Sequence, residues 1–283
     1  MLLVMLAALF AALLFMVFKV FELRNVPVLP AIVINYFTAM AIGALVVQPW
    51  VEPVPRTLLL PALGLGALFI GLFYLSARST VRAGVATTSV ASKTSLVLTV
   101  LFAVVVLHDR PGVMGWIGIL LAIISVASAS FGSGGKGARG VWLLPVLLFF
   151  GSAAIDITLS YVQRTMLTIA TEGVFPMMAF GVAGMIGALV LIGQRKQRAL
   201  LAPRSLIGGV VLGSVNYASL YFVIGALARS GFQASTVFPL MNIGVILFST
   251  ALSLILFKER LLRMQWSGII LAVIAMGLIL CDE

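Results

Sequence analysis

Met114-Gly-Trp-Ile-Gly-Ile-Leu-Leu-Ala-Ile-Ile124 returns further along the chain as Met264-Gln-Trp-Ser-Gly-Ile-Ile-Leu-Ala-Val-Ile274. Met, Trp, Gly, Ile, Leu, Ala and Ile coincide at one constant offset of 150, and at that offset Asp109-Arg110 meets Glu259-Arg260. Upstream, Ile42-Gly-Ala-Leu-Val46 recurs as Ile186-Gly-Ala-Leu-Val190, and Tyr74 with Ala83-Gly84 aligns with Tyr221 and Ser230-Gly231. A single match of this kind arises by chance in apolar sequence. Collinear matches in three segments indicate a duplicated chain.

The surrounding sequence says what kind of unit was duplicated. Hydrophobic residues make up 62% and charged ones 9%, which excludes an ordinary soluble globule. The apolar runs are long and continuous rather than short and alternating, so they predict membrane-spanning helices and not barrel strands. Cutting at charges, prolines and glycines yields ten segments, near 2–21, 28–48, 58–77, 84–107, 112–131, 141–162, 174–193, 205–227, 232–257 and 264–281. Nearly all prolines fall in connections or close to a helix start. Pro239 lies inside the ninth segment, where it frees a carbonyl and predicts a kink. A glycine-rich link, residues 131–140, divides five segments from five. The expected fold is therefore an all-α polytopic membrane protein with ten transmembrane helices in two five-helix repeats, residues 1–131 and 141–281. An odd number of spans per repeat turns the second copy upside down, an architecture common in secondary transporters with a midplane site.

Charge supplies orientation and excludes several functions. The formal net charge of +10 is spread over short gaps rather than gathered in one patch, so no nucleic-acid partner is expected. Lys19, Arg24, Arg78, Arg82, Lys136, Arg139, Arg195, Lys196, Arg198, Arg204, Lys258, Arg260 and Arg263 fall on one side of the bilayer, and Arg56, Arg110, Arg164 and Arg229 on the other. That count favours a cytoplasmic location for the first group and puts both termini outside. One cysteine, Cys281, excludes an internal disulfide and a cysteine-based metal cluster, and neither a metal nor a cofactor is expected. The stretch Met1-Leu-Leu-Val-Met-Leu-Ala-Ala-Leu9 lacks a basic n-region and reads as a retained first span. The expected setting is a cell membrane, bacterial and cytoplasmic, with the chain as a monomer or homodimer.

Polar residues within the apolar segments mark a candidate site. Lys93 sits near the middle of the fourth segment among Ser89, Ser92, Thr94, Ser95 and Thr99. A cation at that depth is costly unless it faces a cavity or a partner. At 1.5 Å per residue, Lys93 lies about 14 Å from one face and Asn242 about 16 Å from the other. Asn216, Tyr217 and Asn35 lie close to the same level. Lys93, Asn35, Asn216, Tyr217 and Asn242 are thus candidate substrate ligands, while for each asparagine alone interhelical hydrogen bonding is an equal explanation. Asp156 is the carboxylate placed well inside a segment, with Ser152 and Ser160 on the same helical face. It is a candidate proton carrier or counter-ion for Lys93, though it sits deeper than the lysine.

With Asp109 and Glu259 each preceding the last helix of a repeat, and a Trp-x-Gly following, the chain resembles the EamA-like proteins of the drug/metabolite transporter superfamily. Phe257-Lys-Glu-Arg-Leu-Leu-x-x-Gln-Trp-x-Gly268 carries the resemblance most closely, and Ala83-Gly-Val-Ala-Thr-Thr-Ser-Val-Ala-Ser92 more loosely. The resemblance implies a secondary carrier for small metabolites with a central cavity lined by helices other than the fifth and tenth. It also implies cytoplasmic termini, opposite to the charge count. An unpaired Lys93 favours an anionic or zwitterionic substrate such as an amino acid or organic acid, moved by alternating access. The alternatives are a non-transporting scaffold or receptor subunit and an intramembrane enzyme. Against the enzyme, the only histidine, His108, lies in a tight gap, no H-E-x-x-H or P-loop occurs, and no catalytic residue is expected.

Overall fold

The first turn of a helix makes no internal use of its own N–H groups, so proline is tolerated there. In the computed structural model, which describes residues 1–48, 55–83, 92, 95–131, 143–193, 202–257 and 263–282, Pro30, Pro61, Pro145 and Pro176 each stand third in a helix and Pro203 opens one. Ten α-helices occur among the described residues. They are α1 (Leu2–Leu23), α2 (Val28–Val47), α3 (Leu59–Ala83), α4 (Leu96–Val105), α5 (Val113–Phe131), α6 (Leu143–Thr165), α7 (Val174–Gly193), α8 (Pro203–Arg229), α9 (Ala234–Leu252) and α10 (Arg263–Cys281). A 3-10 turn, Arg56–Leu58, leads into α3, and a π-helical turn, Ser253–Phe257, follows α9. No strand occurs among the described residues.

Seven helical stretches are long and apolar enough to cross a bilayer, and Leu96–Val105, Val113–Ser125 and Trp266–Cys281 are shorter apolar helices. The chain is a multi-pass membrane protein. Its outer surface carries Leu45, Leu60, Val113 and Leu189, the apolar side chains that hydrocarbon accepts. Several helix ends differ from the sequence reading, α3 by the most; α6 runs on to Thr165 rather than stopping near residue 162, and α9 gives way at Leu252 to the π-helical turn. α3 runs to Ala83 rather than stopping near residue 77, because residues 77–83 contain neither proline nor glycine; Arg78 and Arg82 are therefore helical. α4 stops at Val105, and the chain turns through His108, whose φ of 58° is left-handed. Lys93, the glycine-rich residues 132–140 and the Lys258-Glu259-Arg260 ending lie outside the described residues.

Between lipid-embedded helices the packing force is van der Waals contact rather than exclusion of water, so small residues decide which backbones approach. α2 shows this from both sides. Gly181, Gly184 and Gly187 of α7 face Met40, Phe37 and Val33, which makes the two helices antiparallel. Gly209 and Gly213 of α8 face Ile34 with Ala31 and Thr38 with Asn35, which makes those two parallel. α5 and α10 form the most extensive pair and are antiparallel: Gly118 faces Ile279, and Ser125 Oγ donates to the Gly268 carbonyl at 2.8 Å. α1 packs on α8 and α9, α3 on α6 and α7, and α4 on α6 and α9. The large helix contacts thus mostly join residues 1–131 to residues 143–282. Tyr36 and Phe180 are fully enclosed between α2, α3 and α7, and Phe175 is fully enclosed in the first turn of α7.

Candidate functional site

Asn35 is fully buried because α2 is clasped by two glycine-faced helices. At Gly213 a side chain would collide with the Asn35 carbonyl, so glycine permits the close approach that carries Asn216, one turn further on, to its partner. Asn216 Nδ2 donates to Asn35 Oδ1 at 3.1 Å, joining α2 to α8 across the middle of the bundle. That bond leaves Asn35 Nδ2 without a partner among the described residues, and the hydroxyls of Tyr36, Tyr217 and Ser235 are in the same condition. Each unsatisfied buried polar group costs about 1–3 kcal/mol. Each calls for its own explanation, and Ser235, in the first turn of α9, stands at the end of the bundle rather than beside Asn35.

The aromatic residues divide into two groups around the pair. Tyr36 lies between Phe73 and Phe180, with ring centroids 5.6 and 6.1 Å away. Tyr217 stacks on Tyr221 at 6.1 Å, its ring edge against Gly43, and its hydroxyl points toward Gly173 in the link between α6 and α7. Asn35 and Asn216 therefore meet, while Tyr217, next to Asn216 on α8, turns its ring toward Gly43, about two helical turns along α2 from Asn35. Asn242 is buried on α9, where its amide donates to the Phe238 carbonyl one turn back at 3.0 Å. Pro239 falls in the second turn of α9 and lacks the N–H that would reach the carbonyl of Ser235. Asp156 is half-buried on α6, and Ser160 turns its hydroxyl to the Asp156 carbonyl at 2.8 Å. A groove of about 400 Å³ lies elsewhere, between α3, α4 and α6, lined by Leu60, Phe102, Val106, Ile157 and Tyr161. It is apolar, and none of the candidate ligands among the described residues lines it.

A charged cluster not foreseen as a site closes one face of the bundle. Asp109 follows α4, and its side chain is fully enclosed. One carboxylate oxygen meets Arg164 Nη1 at 2.7 Å and the other accepts the Ser235 N–H of the first turn of α9 at 2.9 Å. Beside it the Arg110 N–H donates to Gln233 Oε1 at 2.8 Å, and Gly112 N–H donates to the Asp282 carboxylate at 2.6 Å. Glu172, also buried, pairs with Arg229 Nη2 at 3.0 Å. Arg164 and Arg229 read in the sequence only as topology signals. The nearest clue to their partners was the acidic residue before the fifth helix, because the two partners of each pair lie more than two helices' length apart along the chain.

An all-helical, multi-pass bundle with buried polar groups at its centre is the class of protein the geometry defines. Within that class, residues 1–131 match the EamA-like transporter family, which belongs to the drug/metabolite transporter superfamily. It is similar to a protein of Haemophilus influenzae described as uncharacterized, at 28% identity over 274 residues, covering 91% of this chain and 90% of the relative. It also shares its fold with a solved protein described only as "Crystal structure of protein", with a TM-score of 0.71, 16% identity and 97% of each chain covered.

Proposed function

We propose that this protein is a secondary carrier that moves a small zwitterionic or anionic metabolite, such as an amino acid or organic acid, across a bacterial cytoplasmic membrane by alternating access. The single observation that carries the reading is the Asn216–Asn35 bond, buried where the two halves of the chain meet. An orphaned amide donor next to it offers a substrate carboxylate or carbonyl a partner. In this reading Asn35, Asn216 and Tyr217 line the substrate path, Lys93 supplies the cation, Asn242 borders the path from α9, and Asp156 carries a proton or balances the lysine.

The packing supports two inverted repeats. Exchanging each of the first five helices with the one five places later carries several contacts onto one another: α1 on α8 matches α6 on α3, α1 on α9 matches α6 on α4, and α2 on α8 matches α7 on α3, while the packing of α9 on α5 and α10 has no such counterpart among the described residues. The pairs α2–α7, α4–α9 and α5–α10 map onto themselves. The antiparallel α5 and α10, which bear the repeated Met-x-Trp-x-Gly sequence, fit copies of opposite direction. Two such halves rocking about a central site give alternating access.

Uptake into proteoliposomes of labelled amino acids and organic acids tests the proposal. Flux above that of protein-free liposomes for at least one compound, lowered by Lys93→Ala and by Asn216→Ala, is the expected result. Flux equal to the empty liposomes across the panel would leave the scaffold alternative standing.

A further inference from the structure

We infer that residues 108–112, the link between α4 and α5, form the closing element of one entrance to the carrier, and that the Asp109–Arg164 ion pair is the catch that holds it shut. The inference rests on the alternating-access reading above. Within this short stretch of the first half, four bonds reach three separate elements of the second. Asp109 holds the end of α6 through Arg164 and the start of α9 through the Ser235 N–H, Arg110 holds Gln233 just before α9, and Gly112 holds Asp282 beyond α10. Any motion that parts the halves at this face must break most of these bonds together.

The two partners of the ion pair are unequally placed, and this asymmetry suits a catch rather than a rivet. The Asp109 carboxylate is fully enclosed, whereas the Arg164 side chain is 50% exposed. On release the guanidinium, already half in water, loses little, and the carboxylate regains its hydration as the link moves away from α6 and α9. The link is also preset. His108 holds a left-handed φ of 58°, uncommon for a residue with a side chain, and Pro111 fixes the backbone beyond the carboxylate. The Glu172–Arg229 pair at the same face also joins a buried acid to an arginine 44% exposed, but both partners belong to the second half, so it does not bridge the halves.

The test needs no substrate. In a Cys281→Ser background a single reporter, Val223→Cys, is placed on α8 at a buried position between Tyr217 and Arg229. Its modification by a membrane-impermeant maleimide is timed in right-side-out and inside-out vesicles, with and without Asp109→Asn or Arg164→Gln. Modification from the face that bears the link is expected to become several-fold faster in both variants. Arg164→Gln alters a half-exposed residue, so it reports even where Asp109→Asn does not fold. Reporter rates unchanged by Arg164→Gln, with or without a fall in thermal midpoint, would overturn the inference and leave the pair a structural tie. The carrier reading fails separately, through absence of flux in the proteoliposome panel while the reporter still responds.

Discussion

Tyr217 separates structure from function better than any other single side chain. Its hydroxyl is buried and has no partner among the described residues, so the bundle gains nothing visible from it. Removing such a group leaves stability unchanged or raises it by up to about 1 kcal/mol. Tyr217→Phe is therefore expected to keep or slightly raise the thermal midpoint in detergent while lowering uptake of the transported compound. Unchanged uptake would remove Tyr217 from the substrate path. The neighbouring asparagines lack this clarity, since each also holds α2 to α8. Their meeting was legible in the sequence as a shared depth, because rise per residue is fixed in a helix. Their bonding was not, because depth says nothing about which faces of two helices turn toward each other.

At the scale of the helix, glycine placement decides which partners α2 can have. A Cβ on Gly213 would stand 2.7 Å from Thr38 Cβ and crowd the Asn35 carbonyl, whereas one on Gly64 of α3 meets nothing within 4 Å. Gly213→Ala is expected to destabilise the protein by about 1–3 kcal/mol by prising α8 from α2. Gly64→Ala is expected to be neutral or mildly stabilising, since alanine favours helix over glycine. Thermal unfolding of the two variants side by side checks the contrast, and equal midpoints would mean that the close approach is not what holds these helices. Helix limits were legible where proline or charge enforced them, as at Pro30, Pro176 and Pro203. The overrun of α3 was not foreseen because charges at Arg78 and Arg82 mark the membrane boundary, and a helix passes that boundary freely. The closing cluster stayed hidden for a different reason: Asp109, Glu172 and their arginines are brought together only by tertiary packing.

For the whole molecule, two of the four arginines on the sparsely basic side, Arg164 and Arg229, are paired with buried acids. The orientation bias counts lysines and arginines rather than net charge, so these pairs leave that count as it stands. Asp282 bonds to Gly112 at this same face, which places exposed Cys281 there too. Impermeant maleimide is expected to label Cys281 in right-side-out vesicles and not in inside-out ones. The reverse pattern would turn the molecule over and put both termini in the cytoplasm, as the family resemblance implies. The interleaving of the helices has one more outcome. Since α1 to α5 find their large contacts on α6 to α10, two polypeptides separated between residues 131 and 143 and made together in one cell are expected to reassemble into a working protein, whereas either fragment made alone is left with sticky faces and is cleared by proteolysis.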